Sequence, residues 1–351
     1  MAARALYTRR AYQRRLRSLE GERDELQALI NWIGEAVVAL SGDGKVLRTN
    51  PAAVNLLGIP KPAPGVHLGD LITHPGLREL LEEAVANPFS GRDFALGDRR
   101  LVVSARSVEG GGAVLTFLDV TEVRRLETVR RDFVANVSHE LKTPLTSVRG
   151  FAETLLEDDP PEDLRRTFLS SIRANTLRLQ HLVDDLLDLS RLESGGWIAK
   201  EEKVELGPAM RDLWDSFQET ASAGGLDFSM EGDATVFADR QGVVQVFRNL
   251  IANAIRYTPD GGSIKVEIRV EGPVTKVEVR DTGIGIPASA LPRVFERFFR
   301  VDPHRARAKG GTGLGLAIVR HLVRAMGGKV WAESEPGKGT SFFVTLPTAS
   351  P

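Results

Sequence analysis

Apolar positions change period along this chain and divide it into four stretches. Leu16, Leu19, Leu26, Ile30 and Ile33 follow the three-four alternation of a short coiled coil, with Arg23 filling one core slot. Residues 1–29 are therefore expected to form a helix that pairs with a copy of itself. Near residue 35 the pattern shortens to strand-like runs: EAVVAL, then KVLRTN after an SGDGK turn, then RLVVSARSV and GAVLTFLDV on either side of the glycines at 110–112. Residues 30–120 read as a small α+β domain. Beyond Thr121 a helical stripe takes over with Val123, Leu126, Val129, Phe133 and Val137. It is interrupted by EDDPPED at 157–163 and resumes through Leu164, Phe168, Ile172, Leu179, Leu182, Leu186, Leu189 and Leu192, up to Ser194-Gly195-Gly196. Two long helices and a short turn predict an antiparallel hairpin over 121–195. Its apolar stripe is too broad for one hairpin to hide, so two copies are expected to form a four-helix bundle. The last stretch, 196–351, alternates helical segments with SIKVEIRV, TKVEVRD and TSFFVTLP, the pattern of an α/β sandwich.

Length and composition agree with several domains. The 351 residues exceed what one hydrophobic core usually organises, and 42% hydrophobic with 26% charged residues is ordinary for a globular protein. A formal net charge of -1 excludes a strongly basic body built to coat nucleic acid. The absence of cysteine excludes disulfides, thiolate metal sites and cysteine catalysis, and fits an intracellular setting. No apolar run reaches the roughly 18 residues of a membrane span, and the arginine-studded start lacks a signal-peptide core. Arg4, Arg9, Arg10, Arg14, Arg15 and Arg17 all precede the first acid, Glu20. They form either a solvated helix face or a basic segment of the kind found just inside a membrane. The expected location is the cytoplasm, or the cytoplasmic face of the inner membrane if the native chain extends upstream.

Candidate chemistry concentrates at a few places. In SHELKTPL (138–145), Pro144 removes a backbone donor and frees the Glu140 carbonyl, which predicts a bend one turn past His139. A lone histidine is usually a plain surface residue. On a solvent-facing helix, however, its largely neutral imidazole also offers a lone pair to a phosphorus electrophile. Thr143 lies one turn further on the same face, where its hydroxyl can position a water. In QGVVQVFRNLIANAIRYTP (241–259), Gln245, Asn249 and Asn253 recur at i+4 while Val243, Phe247, Leu250 and Ala254 face elsewhere. Asparagine is a mediocre helix former, but its amide oxygen suits a hydrated Mg²⁺. Arg256 and Tyr257 follow one turn on, placed to contact a nucleotide. Asp281-Thr282-Gly283-Ile284-Gly285 follows a strand directly; its glycines permit turns that side chains block, and its carboxylate can accept from an exocyclic amine such as that of adenine. Gly310-Gly311-Thr312-Gly313-Leu314-Gly315 opens a helix, where backbone donors and the helix dipole favour phosphate. Between these two glycine turns, FERFFR (295–300) leads into RVDPHRARAKGG, which reads as a lid.

SHELKTP resembles the H-box of the HisKA-type sensor histidine kinases. The later blocks, in this order, resemble the N, G1, F and G2 boxes of the histidine-kinase ATP-binding domain, a branch of the Bergerat-type ATPases, and Gly337-Lys338-Gly339-Thr340 matches the last glycine turn of that domain. Together they span residues 121–348. The resemblance implies that His139 is the phosphoacceptor, with Glu140 as its acid/base partner, and that Thr143 serves a phosphatase activity. It implies that ATP is held by Asn249, Asn253, Arg256, Tyr257, Asp281, Gly283, Gly285, Phe298, Gly311, Thr312, Gly313, Leu314, Gly315 and Thr340, with Asn249 and Asn253 carrying Mg²⁺. Neighbouring helix positions do not face each other, so Glu140 reaches His139 only through a particular rotamer or the local bend. Arg256 stands where the family often has lysine, which keeps the charge and changes its geometry. Residues 30–120 resemble a PAS sensor domain through Asn50-Pro51-Ala52-Ala53, Leu57-Gly58 and the closing Asp119-Val120-Thr121-Glu122. The lack of cysteine excludes a flavin–cysteine adduct there, and His67 and His74 are read as loop residues rather than haem ligands.

The implied whole is a multidomain α/β protein: a PAS-like α+β domain, a helical hairpin forming a dimeric four-helix bundle, and a Bergerat-type α/β sandwich. Such a homodimer would phosphorylate His139 from Mg-ATP and pass the phosphoryl group to an aspartate of a response regulator. The competing reading is a nucleotide-binding sensory scaffold without kinase activity. Intact His139, Asn253, Asp281 and glycine boxes speak against it. The SHELKTP hairpin separates the chain from chaperone- and topoisomerase-like ATPases of the same superfamily.

Overall fold

The computed structural model describes residues 15, 21, 25 and 28–349, apart from 61, 64, 110, 159 and 303–310. Leu16, Leu19, Arg23 and Leu26 of the expected coiled coil, all the early arginines except Arg15, and most of the expected lid with Gly310 lie outside the described residues. The chain divides into two compact units, Met1–Arg131 and Asp132–Pro351. Among the described residues, no helix is long and apolar enough to cross a membrane.

The first unit is built on an antiparallel sheet of β1 (Ala36–Leu40), β2 (Val46–Thr49), β3 (Phe89–Leu96), β4 (Arg99–Ser107) and β5 (Ala113–Asp119), in the order β2-β1-β5-β4-β3. The two-residue period of the sequence appears as alternating burial along β1, β4 and β5, which turns Val38, Leu101, Val103, Leu115 and Phe117 inward. Helices α1 (Pro51–Leu57), α2 (Leu68–Leu71) and α3 (Pro75–Ala86) close this core with Ala53, Leu68, Leu77, Leu80 and Leu81. Strand β3 has no legible pattern because it is an edge strand and mostly exposed. Asn50 is buried and fully used: its Oδ1 accepts from Val37 N at 3.0 Å and Ala53 N at 2.9 Å, and its Nδ2 donates to the Glu35 carbonyl at 2.7 Å. It thereby caps α1 and ties it to β1. His74 has a structural task of the same kind, its Nδ1 accepting from Leu77 N at 3.2 Å while its ring meets Phe94 edge-on. At the end of β5, Asp119 accepts bonds from the backbone N–H and the hydroxyl of Thr121, which hold its carboxyl below the usual range.

Thr121 starts α4 (Thr121–Glu157), which continues through Pro144 without a break and pairs with α5 (Glu162–Glu193) as the hairpin. The sandwich that follows holds a sheet in the order β11-β12-β10-β9-β7. These strands are β7 (Asp227–Glu231), β9 (Ser263–Glu271), β10 (Val274–Asp281), β11 (Lys329–Glu335) and β12 (Gly339–Pro347), and only the β7–β9 pairing is parallel. A separate antiparallel pair joins β6 (Glu201–Glu205) to β8 (Thr235–Asp239). Helices α6 (Leu206–Asp215), α7 (Gln218–Ala223), α8 (Arg240–Tyr257) and α9 (Gly315–Ala325) complete it. Val243, Phe247, Leu250 and Ala254 are buried as their spacing predicts.

The hairpin's apolar stripe divides in two. Leu182 and Leu189 are 3% and 1% exposed and belong to the same core as the sandwich, with Phe133, Leu141, Leu186 and Leu192 packed against it. Leu145, Leu164, Leu169, Leu177, Val183 and Leu187 remain 44–59% exposed. With Val134 and Leu156 of α4, also exposed, they form apolar surface that the sandwich leaves uncovered, so the hairpin presents two apolar surfaces.

Candidate functional site

Helix α8 begins at a cap in which Asp239 Oδ1 accepts from Gly242 N at 2.7 Å. Two turns later Asn249 lies against the start of α9: a Cβ at Gly315 would come within 2.9 Å of its Oδ1. The Asn249 Nδ2 is buried without a hydrogen-bond partner. One turn further, Asn253 Oδ1 accepts from Arg256 Nη1 at 3.4 Å. Burial pulls the Arg256 pKa down; the nearby charges of Arg300 and Arg178 add to this and Asp185 opposes it.

Asp281 ends β10 and is buried. Its Oδ1 accepts from Gly283 N at 2.8 Å and from Thr340 N at 3.3 Å. Burial pushes its carboxyl up, against those two backbone bonds. The glycines that follow are sterically required. A Cβ on Gly283 would lie 2.6 Å from Asp281 Oδ1 and 2.7 Å from the Tyr257 carbonyl. Gly285 has φ +69°, and a Cβ there would lie 2.2 Å from the Glu335 carbonyl. Thr340 braces this turn, giving its N–H to Asp281 and sharing a 2.9 Å hydroxyl bond with Ser334.

The F block and the second glycine turn are locked together. Phe298, with φ 60°, is the one non-glycine residue in the left-handed region among the described residues. Its N–H donates to the Gly313 carbonyl at 2.8 Å, and Gly313 backs onto it so closely that a Cβ would lie 2.9 Å from the Phe298 Cα. The Phe298 ring meets Phe133 of the hairpin at 5.8 Å. Gly311 and Leu314 are buried, Leu314 N–H donates to Thr312 Oγ1 at 3.2 Å, and α9 starts without a side-chain cap.

Several contacts of the site had no counterpart in the motifs. Glu140 receives two bonds from Arg300, Nη1 to Oε1 at 3.3 Å and Nη2 to Oε2 at 3.0 Å, and a third from Arg178 of α5 at 3.3 Å. Arg300 also donates to the Gly311 carbonyl. Thr312 Oγ1 donates to Asp185 of α5 at 2.8 Å, and Arg297 pairs with Glu193. Burial pushes the Asp185 carboxyl up, with the Thr312 bond opposing. Arg178, Leu182, Asp185 and Leu189 follow one another at helical spacing on α5, so the available signal was a pair of charges set into an apolar stripe. His139 itself is exposed, and Thr143 Oγ1 donates to its carbonyl at 3.1 Å.

Residues 129–195 match the HisKA family, the His Kinase A (phospho-acceptor) domain, and residues 238–350 match HATPase_c, the histidine kinase-, DNA gyrase B- and HSP90-like ATPase. The chain is 35% identical over 342 residues to the sensor histidine kinase WalK of Bacillus subtilis, covering 93% of this chain and 56% of that protein. It is 35% identical over 345 residues to the phosphate regulon sensor protein PhoR of Pseudomonas aeruginosa, covering 96% of this chain and 77% of that one. It thus spans little more than half the length of the Bacillus relative. Among solved structures, the histidine kinase ThkA in complex with the response regulator protein TrrA aligns with a TM-score of 0.50 and 26% identity over 90% of this chain and 96% of that one. The Acinetobacter baumannii histidine kinase AdeS aligns with a TM-score of 0.50 and 25% identity over 60% of this chain and 98% of that one. With the phosphoacceptor hairpin and the ATPase sandwich matched in chain order, and a full-length relative covered over most of its length, the chain belongs to the sensor histidine kinases.

Proposed function

We propose that this protein is an ATP-dependent protein-histidine kinase that phosphorylates its own His139 as a homodimer, passes the phosphoryl group to an aspartate of a response regulator, and also dephosphorylates that regulator. The observation that carries the proposal is the pairing of Arg300 with Glu140. It sets the glycine turn of the sandwich, which Arg300 touches at Gly311, beside the helix position that follows His139. Residues 30–120 would be the sensor, 121–195 the phosphotransfer hairpin and 196–351 the ATP-binding domain. The basic start of the chain suits the cytoplasmic face of a membrane.

Each site residue has a chemical task in this reading. Asp281 keeps Oδ1 for the backbone and offers Oδ2 to the adenine amine, with Tyr257 alongside. Gly283 and Gly285 let the turn come close enough for that. Gly311, Thr312, Gly313, Leu314 and Gly315 bring backbone donors and the start of α9 to the phosphates. Arg256 neutralises phosphate charge, its partly desolvated guanidinium being more effective than an exposed one. The amide oxygens of Asn249 and Asn253 would hold a hydrated Mg²⁺, while the buried, unpartnered Asn249 Nδ2 is a donor available to a water or phosphate oxygen. Among the described residues no trio of acids and histidines could hold a metal by itself, so such an ion would rely on these amides, water and phosphate. When bound, Mg²⁺ supplies charge neutralisation for the transferring phosphoryl group. A ring nitrogen of His139 attacks the γ-phosphorus, the bond to the leaving ADP oxygen breaks with its electron pair, and the proton on the other ring nitrogen passes to Glu140. Thr143 donates its proton to the His139 carbonyl, which leaves its oxygen lone pairs to orient a water toward a phosphoaspartate.

The test is incubation with γ-labelled ATP and Mg²⁺. Label that survives alkali, is lost in acid and is absent from His139→Gln is expected. Normal ATP binding with no such label, even after removal of residues 30–120, would overturn the kinase reading in favour of a nucleotide-binding scaffold.

A further inference from the structure

Glu140 is held by two arginines that belong to different parts of the unit. Arg300 follows the F block and moves with the sandwich. Arg178 stands on α5 across the hairpin from Glu140; its Nη2 donates to Oε2 at 3.3 Å, and the two side chains are only 19% and 12% exposed. Arg178 is anchored one turn before Leu182, which is 3% exposed. For His139 to hand its ring proton to Glu140, a lone pair of Oε1, which also accepts from Arg300 Nη1 at 3.3 Å, must face the imidazole. Arg178 bonds the other oxygen and stays with the hairpin when the sandwich repositions.

We infer that Arg178 is a positioning residue for phosphotransfer: its bond to Oε2 fixes the Glu140 carboxylate on the hairpin and keeps it aimed at the imidazole when the sandwich repositions. The inference rests on the reading of Glu140 as the proton acceptor for His139. Successive helix positions point about 100° apart, so Glu140 does not face His139 by default. A glutamate side chain has several rotors, and ordering it without a partner costs entropy that would slow every turnover. A guanidinium on the facing helix supplies that order, and partial burial makes its hold on the carboxylate stronger than an exposed pair would be. The step itself is unchanged: the nitrogen–phosphorus bond forms, the phosphorus–oxygen bond to ADP breaks, and the ring proton goes to Oε1.

The experiment follows His139 phosphorylation in the full chain for Arg178→Gln, Arg178→Lys, Glu140→Gln and the double variant Glu140→Gln/Arg178→Gln. Arg178→Gln is expected to lower the rate at saturating Mg-ATP about tenfold or more with the KM for ATP moving less than about twofold, because Arg178 acts on the chemical step and not on nucleotide binding. Arg178→Lys should recover to within about threefold, since one charged donor suffices for the single bond to Oε2. In the Glu140→Gln background, Arg178→Gln should add less than about twofold, as two residues acting through one group are not additive. If Glu140→Gln alone leaves the rate unchanged, the proton-acceptor reading falls and this inference with it. If Glu140→Gln is slow while Arg178→Gln equals wild type, or the two losses multiply, only the role of Arg178 is overturned. Melting curves and nucleotide binding check each variant; Arg178→Met, which keeps the side-chain stem packed, carries the same comparison should the glutamine variant not fold.

Discussion

Replacing Asp281 by asparagine separates the nucleotide-reading role proposed for it from its part in holding the first glycine turn. Oδ1 takes the N–H groups of Gly283 at 2.8 Å and Thr340 at 3.3 Å. An asparagine keeps an oxygen there, so both donors stay satisfied, and the change falls on the other atom, where an acceptor becomes an NH₂ donor. Opposite the exocyclic amine of adenine, this removes a hydrogen bond to a charged group, about 1.5–3 kcal/mol, or about 10- to 150-fold in affinity. The fold should hardly respond. Burial already disfavours the ionised carboxyl, and the neutral amide escapes that penalty, so unfolding free energy should change by less than about 1 kcal/mol. The assay is calorimetric titration with ATP and with inosine triphosphate, whose ring carries a carbonyl in place of the amine. Wild type should prefer ATP, and the variant should lose that preference or reverse it as its amide donates to the carbonyl. Equal losses for both nucleotides, or a fall in Tm of more than about 4 °C, would refute the assignment.

Three further outcomes follow from other parts of the molecule. Gly285→Ala combines a left-handed φ of +69° with a Cβ 2.2 Å from the Glu335 carbonyl, so it should cost about 3 kcal/mol or more in urea unfolding and weaken ATP binding with it; a wild-type midpoint would contradict the turn geometry. The Asp185 carboxyl is raised by burial in the folded state, so its contribution to stability is fully present below the ordinary carboxylate pKa and is lost as pH rises through the raised value. Asp185→Asn keeps an acceptor for Thr312 and should flatten that loss in unfolding curves taken from about pH 4 to pH 7, whereas an unchanged pH profile would show that the burial is not maintained in solution. Leu189→Ala, at a position 1% exposed, should destabilise by about 2–4 kcal/mol. Leu187→Ala, at a position 52% exposed, should instead weaken self-association in sedimentation, and similar effects of the two would refute the division of the hairpin surface.

The periodicities of the sequence determined the order of the parts on their own. A two-residue alternation can bury only one face of a sheet, and a three-four alternation only one stripe of a helix, so β1, β4, β5, β9, β10 and the buried side of α8 were legible from Val38, Leu101, Val266 and Phe247. Glycines were legible where they cluster in a motif, as at Gly283 and Gly285, but not where they stand singly, as at Gly232 and Gly328, whose added Cβ would meet the Ile268 and Thr345 carbonyls. Edge strands such as β3 were not, because an exposed strand has little burial to imprint a pattern. The helical stripe of α5 announced that it would be covered, and its breadth was assigned to a second hairpin, whereas Leu182 and Leu189 are covered by the sandwich. That Leu182 and Leu189 face the sandwich while Leu187 does not, and that Arg178 and Asp185 on the same stripe meet Glu140 and Thr312, was decided by tertiary packing. Ion pairs between residues as far apart as Glu140 and Arg300 leave no periodic trace in the chain. Their partners are chosen by which surfaces the hydrophobic contacts bring together, and only then do charge and hydrogen-bond geometry act.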